Sequence, residues 1–281
     1  MVTEVQWLRR AGAEPRFFVL GHRGMLGNVV RRFLEEHGFS CLTTDHRYDG
    51  SPESPLVAEV AESDADVVVN CAGVTTQRQI SDERLMVANA LLPQHLAAAI
   101  GPSRLLIHAS TDCVFAGGAG RHRVDQPPDA TDPYGLSKRL GELVLHAPER
   151  RVLVLRTSIV GPEERSARGL LAWFLSQSGP ARGWTDHLWN GITTLAWAKL
   201  AAEFATGKRP MDAGLQQPTT AEAMSKYELL QLFADVYDHR IGIEAVATGN
   251  GIDRTLEPTI EMPPLAEQLR ELRTWWDRGP A

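Results

Sequence analysis

Lysine is scarce in this chain. Of 29 basic residues only Lys138, Lys199, Lys208 and Lys226 are lysines, and 35 acidic residues leave a formal net charge of −6. Binding to a nucleic-acid backbone or an anionic membrane surface needs clustered positive charge, so neither partner is expected. The basic residues that remain are forked guanidinium groups, which suit phosphates. Cysteine is scarce too. Cys41, Cys71 and Cys113 are odd in number and scattered, with no paired spacing for zinc and no disulfide framework. They are expected to be reduced, small core residues, and no metal site is expected. Long hydrophobic runs are missing as well. No apolar stretch approaches the ~20 residues of a membrane span, and residues 1–17 lack the apolar run of a signal peptide, so a cytoplasmic protein is expected.

What is present is an ordinary globular composition. With 43% hydrophobic and 23% charged residues, the 281 residues suffice for one large α/β domain or two smaller ones sharing a cleft. Residues 16–20 (RFFVL) form a short apolar run ending in a glycine, as buried strands do. GHRGMLG follows at 21–27, and 28–37 has helical spacing. Strand, glycine turn and helix make a dinucleotide arrangement, with Gly21, Gly24 and Gly27 serving turn, close approach and helix packing, and Met25 and Leu26 between them. The expected second strand, 39–44, ends at Asp45-His46-Arg47. Asp45 there suits a ribose hydroxyl and so NAD(H). Arg23 inside the turn, with Arg47 as a second guanidinium, suits a 2′-phosphate and so NADP(H). The two signals conflict, and NADP(H) is favoured over NAD(H).

Further along, 52–62 reads as a short helix and 66–70 as a third buried strand running into Cys71-Ala72-Gly73, small residues against which a ligand can lie, with Thr75 just beyond. Residues 81–100 read as one long helix with Asn89 inside its apolar face, where an amide braces backbone. A fourth strand, 104–109, delivers Ser110-Thr111-Asp112-Cys113, and a fifth spans 151–157. Hydroxyls at a strand end can hold a substrate carbonyl or can simply cap a turn.

Between these strands, 132–142 reads DPYGLSKRLGE. Asp132 can cap a helix and Pro133 suits its first turn, so Tyr134 and Lys138 fall four apart on one face. An ammonium beside a phenol favours the phenolate and makes the hydroxyl a better proton donor near neutrality. Such a pair suits protonation of a carbonyl oxygen as a hydride reaches its carbon. After residue 158 the alternation loosens. Trp173 and Trp197 have core spacing, whereas Trp184, Trp189 and the adjacent Asn190 lie in a polar, turn-rich stretch with Arg165, Arg168, Arg182 and His187, and Arg254 lies in a later loop. Aromatics with arginines suit a ring bearing phosphates. Helices are expected at 221–238 and 265–276.

GHRGMLG, NCAG, STDCVF and YGLSK recur in this order in the extended short-chain dehydrogenase/reductases, which the first ~160 residues resemble. Through STDCVF, DPYGLSKRLGE and LRTSIVG the chain most resembles the dTDP-4-dehydrorhamnose reductases and related sugar-nucleotide reductases. GHRGM is similar to the glycine turn of GDP-L-fucose synthase, whose matching arginine is Arg23. The resemblance implies an α/β, Rossmann-type doubly wound parallel sheet over 1–160, with a smaller C-terminal mixed α/β substrate-binding region over 161–281 that can interleave with it. It implies Thr111, Tyr134 and Lys138 as catalytic residues. Gly21, Arg23, Gly24, Met25, Leu26, Gly27, Asp45, Arg47, Cys71, Ala72, Gly73 and Lys138 would hold the cofactor. Thr75, Asp112, Cys113, Trp184, Trp189, Asn190 and Arg254 would face a nucleotide-sugar substrate. Cys113 stands where the rhamnose enzymes have an aromatic, and Ser158-Ile159 replace a tryptophan, which leaves the identity of the substrate open and the hydride machinery intact. The alternatives are an epimerase or dehydratase using bound NAD, or a non-catalytic NADP-binding subunit similar to the β subunit of methionine adenosyltransferase. A homodimer is compatible with the chain.

Overall fold

The computed structural model describes residues 14–75, 80–146, 150–164, 168–212 and 214–279. Its centre is a six-stranded, wholly parallel sheet: β1 (Phe17–Leu20), β2 (Cys41–Leu42), β3 (Val67–Asn70), β4 (Leu105–Ser110), β5 (Val152–Arg156) and the strand Leu215–Gln216. They run in the order β2, β1, β3, β4, β5, Leu215–Gln216. The second strand is shorter than the sequence implies, because it is an edge strand paired only with β1.

Every residue of β1, β3 and β5 is buried. Successive strand side chains point to opposite faces, so these continuous apolar runs feed two cores. Phe17, Val19, Val67, Val69, Ile107 and Leu153 pack on one face with helix α1 (Met25–Glu36), helix Thr194–Ala205 and the C-terminal helix Leu265–Asp277. Phe18, Leu20, Val68, Leu106 and Val154 pack on the other with α2 (Pro55–Glu62) and the helix Leu92–Ile100. Residues beyond 160 therefore return to the sheet, as its sixth strand and as two helices of one layer. Trp197 is fully buried there. A third core, around Phe174, Phe233, Trp189 and Leu269, belongs to the C-terminal half.

The helix expected at 81–100 is interrupted. It runs as α3 over Asp82–Met86, a π-helical turn over Val87–Leu91 and α4 over Leu92–Ile100. Pro93 has no N–H for the Asn89 carbonyl four residues back, and its ring would press on that carbonyl, so the turn widens. Asn89 is buried, and its side chain accepts from Val74 N (3.0 Å) and donates to Val74 O (2.9 Å) and Ser137 Oγ (2.9 Å). The brace expected of that amide therefore ties the turn after β3 to the helix that carries Tyr134.

Candidate active site

The order of strands reverses at β1 and β3, and a crevice opens beyond the ends of strands at such a switch point. Two tight turns meet there. Gly21 has φ +73°, and an added Cβ would lie 2.8 Å from Ala72 N and from the Cys71 carbonyl group. A side chain at this position would be strained in its own backbone and would also strike the turn after β3. A Cβ at Gly27 would strike Gly21 O, so that glycine lets α1 lie against the turn. Gly24 caps α1 without any side-chain hydrogen bond, and the first turn has no acidic residue. The helix dipole and its leading N–H groups are thus left for an anion, which fits the pyrophosphate of a dinucleotide.

A cavity of about 530 Å³ continues from this cradle. Gly24, Met25, Leu26, Cys71, Ala72, Gly73, Val74 and Thr75 line one side. Thr111, Asp112 and Cys113 line it from the end of β4, and Tyr134 and Lys138 from α5 (Pro133–Leu145). Helix α5 starts where the sequence places it, with Pro133 in its first turn and Asp132 Oδ1 accepting from Gly135 N (3.0 Å). Trp189, Lys226 and Arg254 form the opposite wall. They are gathered by a small three-stranded sheet in which His187–Trp189 pairs with Met224–Ser225 and with Ile252–Asp253. Lys226 and Arg254 each follow the last residue of a strand.

The electrostatics differ from the expectation for Tyr134. Burial pushes its phenol up, the Cys113 thiol adds to this, and a hydrogen bond with the Thr111 hydroxyl pulls the other way. The Lys138 ammonium is not among the groups acting on it. Lys138 Nζ instead donates to Ala109 O (2.7 Å) and faces His108 Nε2 (3.4 Å). Burial lowers Lys138 to about 8, partly opposed by Glu142. The four-residue spacing put both groups on one face, but the lysine stem reaches past the phenol to the edge of β4. Cys71 and Cys113 are half-buried thiols on the cavity wall that desolvation pushes upward, Cys113 to about 12, and so are unreactive near neutrality. Among the described residues no cluster could hold a metal ion.

Other residues fall elsewhere. Arg23 and Asp45, rival signals in the sequence, form an ion pair at a second, open cavity of about 550 Å³ with His22, Thr44, His46 and Glu59. Arg47 is exposed and lines neither cavity. Trp184 is 46% exposed beside His187 and outside the site cavity, and Arg182 pairs with Glu244 at the surface. Asn190 is buried: its Nδ2 donates to Thr220 O (3.1 Å) and Leu256 O (2.8 Å), and its Oδ1 accepts from Leu256 N (3.1 Å). It braces loops rather than facing the cavity. Arg165 lies outside the described residues. Arg168 does line the cavity.

Sequence reasoning missed Lys226. Burial lowers its ammonium to about 8 against the pull of Asp112, and Nζ sits 5.3 Å from the Trp189 ring centroid. Its signal was rarity: it is one of four lysines, directly after a helix-capping serine.

The family model described as RmlD substrate binding domain matches residues 16–248. The probable low-salt glycan biosynthesis reductase of Haloferax volcanii is 32% identical over 158 residues, 51% of this chain and 53% of that one, so the match spans about half of that relative's length. Methionine adenosyltransferase 2 subunit beta of Xenopus tropicalis is 23% identical over 241 residues, 79% of this chain and 72% of that one. Among solved structures, dTDP-4-dehydrorhamnose reductase from Bacillus anthracis in complex with NADP superposes with a TM-score of 0.80 at 16% identity, covering 94% of this chain and 100% of that one. At that identity the likeness is one of fold.

Proposed function

The chain belongs to the RmlD substrate binding domain family, and from that premise we propose that it is an NAD(P)H-dependent oxidoreductase of the short-chain dehydrogenase/reductase type, reducing a keto group on a nucleotide-activated sugar. The observation that carries this reading is the shared cavity: Thr111, Tyr134 and Lys138 open onto the same space as the uncapped N-terminus of α1. When bound there, the reduced nicotinamide supplies the hydride and leaves oxidised. Tyr134, kept protonated by burial, gives its proton to the carbonyl oxygen, so that a ketone becomes an alcohol. The Thr111 hydroxyl orients that oxygen, and Lys138 is the group to hold the nicotinamide ribose. Thr75, Asp112, Cys113, Trp189, Lys226 and Arg254 face the substrate, with the two cations suited to its diphosphate. NADP(H) is the favoured cofactor, taken when Arg23 turns from Asp45 to the 2′-phosphate.

The test is Tyr134→Phe. It should lower kcat by a factor on the order of 10² or more while cofactor affinity holds. Turnover close to wild type in that variant rules the mechanism out. The keto sugar for the assay comes from a thermal-shift screen of dTDP-, UDP-, GDP- and CDP-sugars, since binding raises apparent stability. Net cofactor consumption separates a reductase from an epimerase or dehydratase. A second reading, a non-catalytic subunit, draws on the match to the frog methionine adenosyltransferase subunit over 79% of the chain. A stoichiometric enzyme partner with no turnover on any keto sugar would favour it.

A further inference from the structure

His108 is fully buried in β4 and takes no part in the steps above. Its ring links the turn after β3 to Lys138, and the order of donors along that link is forced. The backbone N–H of Ala72 can only donate, and it meets the Asn70 side chain at 3.1 Å, so the atom there is Oδ1. The other amide atom, Nδ2, then faces His108 Nδ1 at 3.1 Å. An amide NH₂ has no lone pair to offer, so Nδ1 must accept. A neutral imidazole that accepts at Nδ1 carries its proton on Nε2. That N–H points at Lys138 Nζ, 3.4 Å away.

An ammonium facing an N–H sets two donors against each other. An amine resolves the clash: it accepts from His108 Nε2 and still donates to Ala109 O at 2.7 Å. We propose that His108 is a positioning residue that disfavours the ammonium form of Lys138 in the unliganded protein, through a tautomer fixed by the Ala72 N–H by way of Asn70. The groups around Nζ agree. Lys138 is 6% exposed. Cys71 is a neutral thiol, since burial raises it. Glu142, one turn along α5, is the opposing charge, but both its oxygens are held by Arg156, at 2.9 and 2.6 Å, and one also accepts from Ser110 Oγ at 2.6 Å. Tyr134, one turn back, is protonated. His108 itself stays uncharged, because burial disfavours the imidazolium. What the amine does for turnover rests on the reductase reading; its charge state does not. A lysine whose proton is disfavoured until a ligand draws it from Ala109 O would couple cofactor affinity to pH.

Lysine and histidine labelled with ¹³C and ¹⁵N test this in the intact protein without substrate. Lys138 is one of four lysines and His108 one of nine histidines, so each is assigned by loss of its signal in Lys138→Met and His108→Gln. The expected result is an Nε2–H tautomer for His108 from about pH 6 to about pH 9, far from an exposed imidazole's behaviour, with Lys138 Cε titrating well below the usual lysine range. Asn70→Asp puts an acceptor against Nδ1, so His108 should switch to the Nδ1–H tautomer and Lys138 should titrate higher. His108→Gln should raise the Lys138 titration without adding charge. An Nδ1–H tautomer in the wild type overturns the proposal. So does a Lys138 titration that is the same in the wild type and both variants. In a second arm, NADPH fluorescence follows affinity against pH, and its midpoint should move with Lys138 in each variant. A fixed midpoint with the tautomer as stated would overturn Lys138 as the cofactor-holding group and leave the tautomer standing.

Discussion

The two walls of the cavity are built of different material. On the cofactor side the polar atoms are main chain: the leading N–H groups of α1 and the turn after β3, placed by the parallel register of β1 on β3. On the far side they are side-chain tips, Trp189, Lys226 and Arg254, each carried by a different short strand or its end. A wall of backbone is specified by which residues can be absent, since Gly21 and Gly27 leave space that any Cβ would fill. A wall of side chains can change its chemistry with one substitution and leave the fold alone. That division would let the far wall vary while the backbone cradle stays constant.

Joining the walls is a buried ion pair, and breaking it should have the largest effect. Arg156 on β5 and Glu142 on α5 are 2% and 9% exposed. Arg156 also donates to Gln217 Oε1 (3.0 Å), and Gln217 Nε2 donates to the carbonyl of His122 (2.9 Å), in the loop after β4, and to that of Glu257 (2.8 Å), in the C-terminal half. Arg156→Met leaves a carboxylate buried without its partner, which costs about 3–5 kcal/mol. Denaturant unfolding is the measurement, and Arg156→Met with Glu142→Leu should recover much of the loss. A single variant as stable as the wild type would mean that the walls are held together by apolar packing alone.

The same division explains what was legible in the sequence. The strands, the glycine turn and the Asp132 cap are local patterns, and each lies within a few residues of its expected place. The π-helical turn at Val87–Leu91 was not legible as such, because one added residue leaves no period to read; only Pro93 hinted at it. Tyr134 and Lys138 were legible as a pair, but the direction of a long flexible stem was not. Asn190 and Trp184 were read as ligand residues from composition, whereas long-range register makes one a brace and turns the other to solvent. Lys226 went unseen for the same reason, since the strand pairing that brings it to Trp189 joins segments 35 residues apart, Met224 opposite Trp189.

Lys226→Met sharpens the contrast by altering the far wall alone. Losing a charge-assisted hydrogen bond to an anionic substrate costs about 1.5–3 kcal/mol, so kcat/KM should fall roughly tenfold or more. Cofactor affinity and the unfolding midpoint should hold. A matched loss of cofactor affinity would show that the lysine serves both walls.

The smallest effect is expected at the outer end of the cofactor wall, where side chains do take part. Arg23 and Asp45 pair there with 51% and 73% of their side chains exposed. A guanidinium in such a setting contributes about 0.2–1 kcal/mol, because water and salt screen it. Arg23→Ala should therefore weaken NADPH only a few-fold and leave NADH nearly unchanged. Asp45→Asn should act in the opposite sense: it frees Arg23 from its present partner, removes a carboxylate from the neighbourhood of the 2′-phosphate, and so tightens NADPH relative to NADH. If both variants change the two cofactors equally, the ion pair serves only the surface, and discrimination between the cofactors lies with the backbone wall.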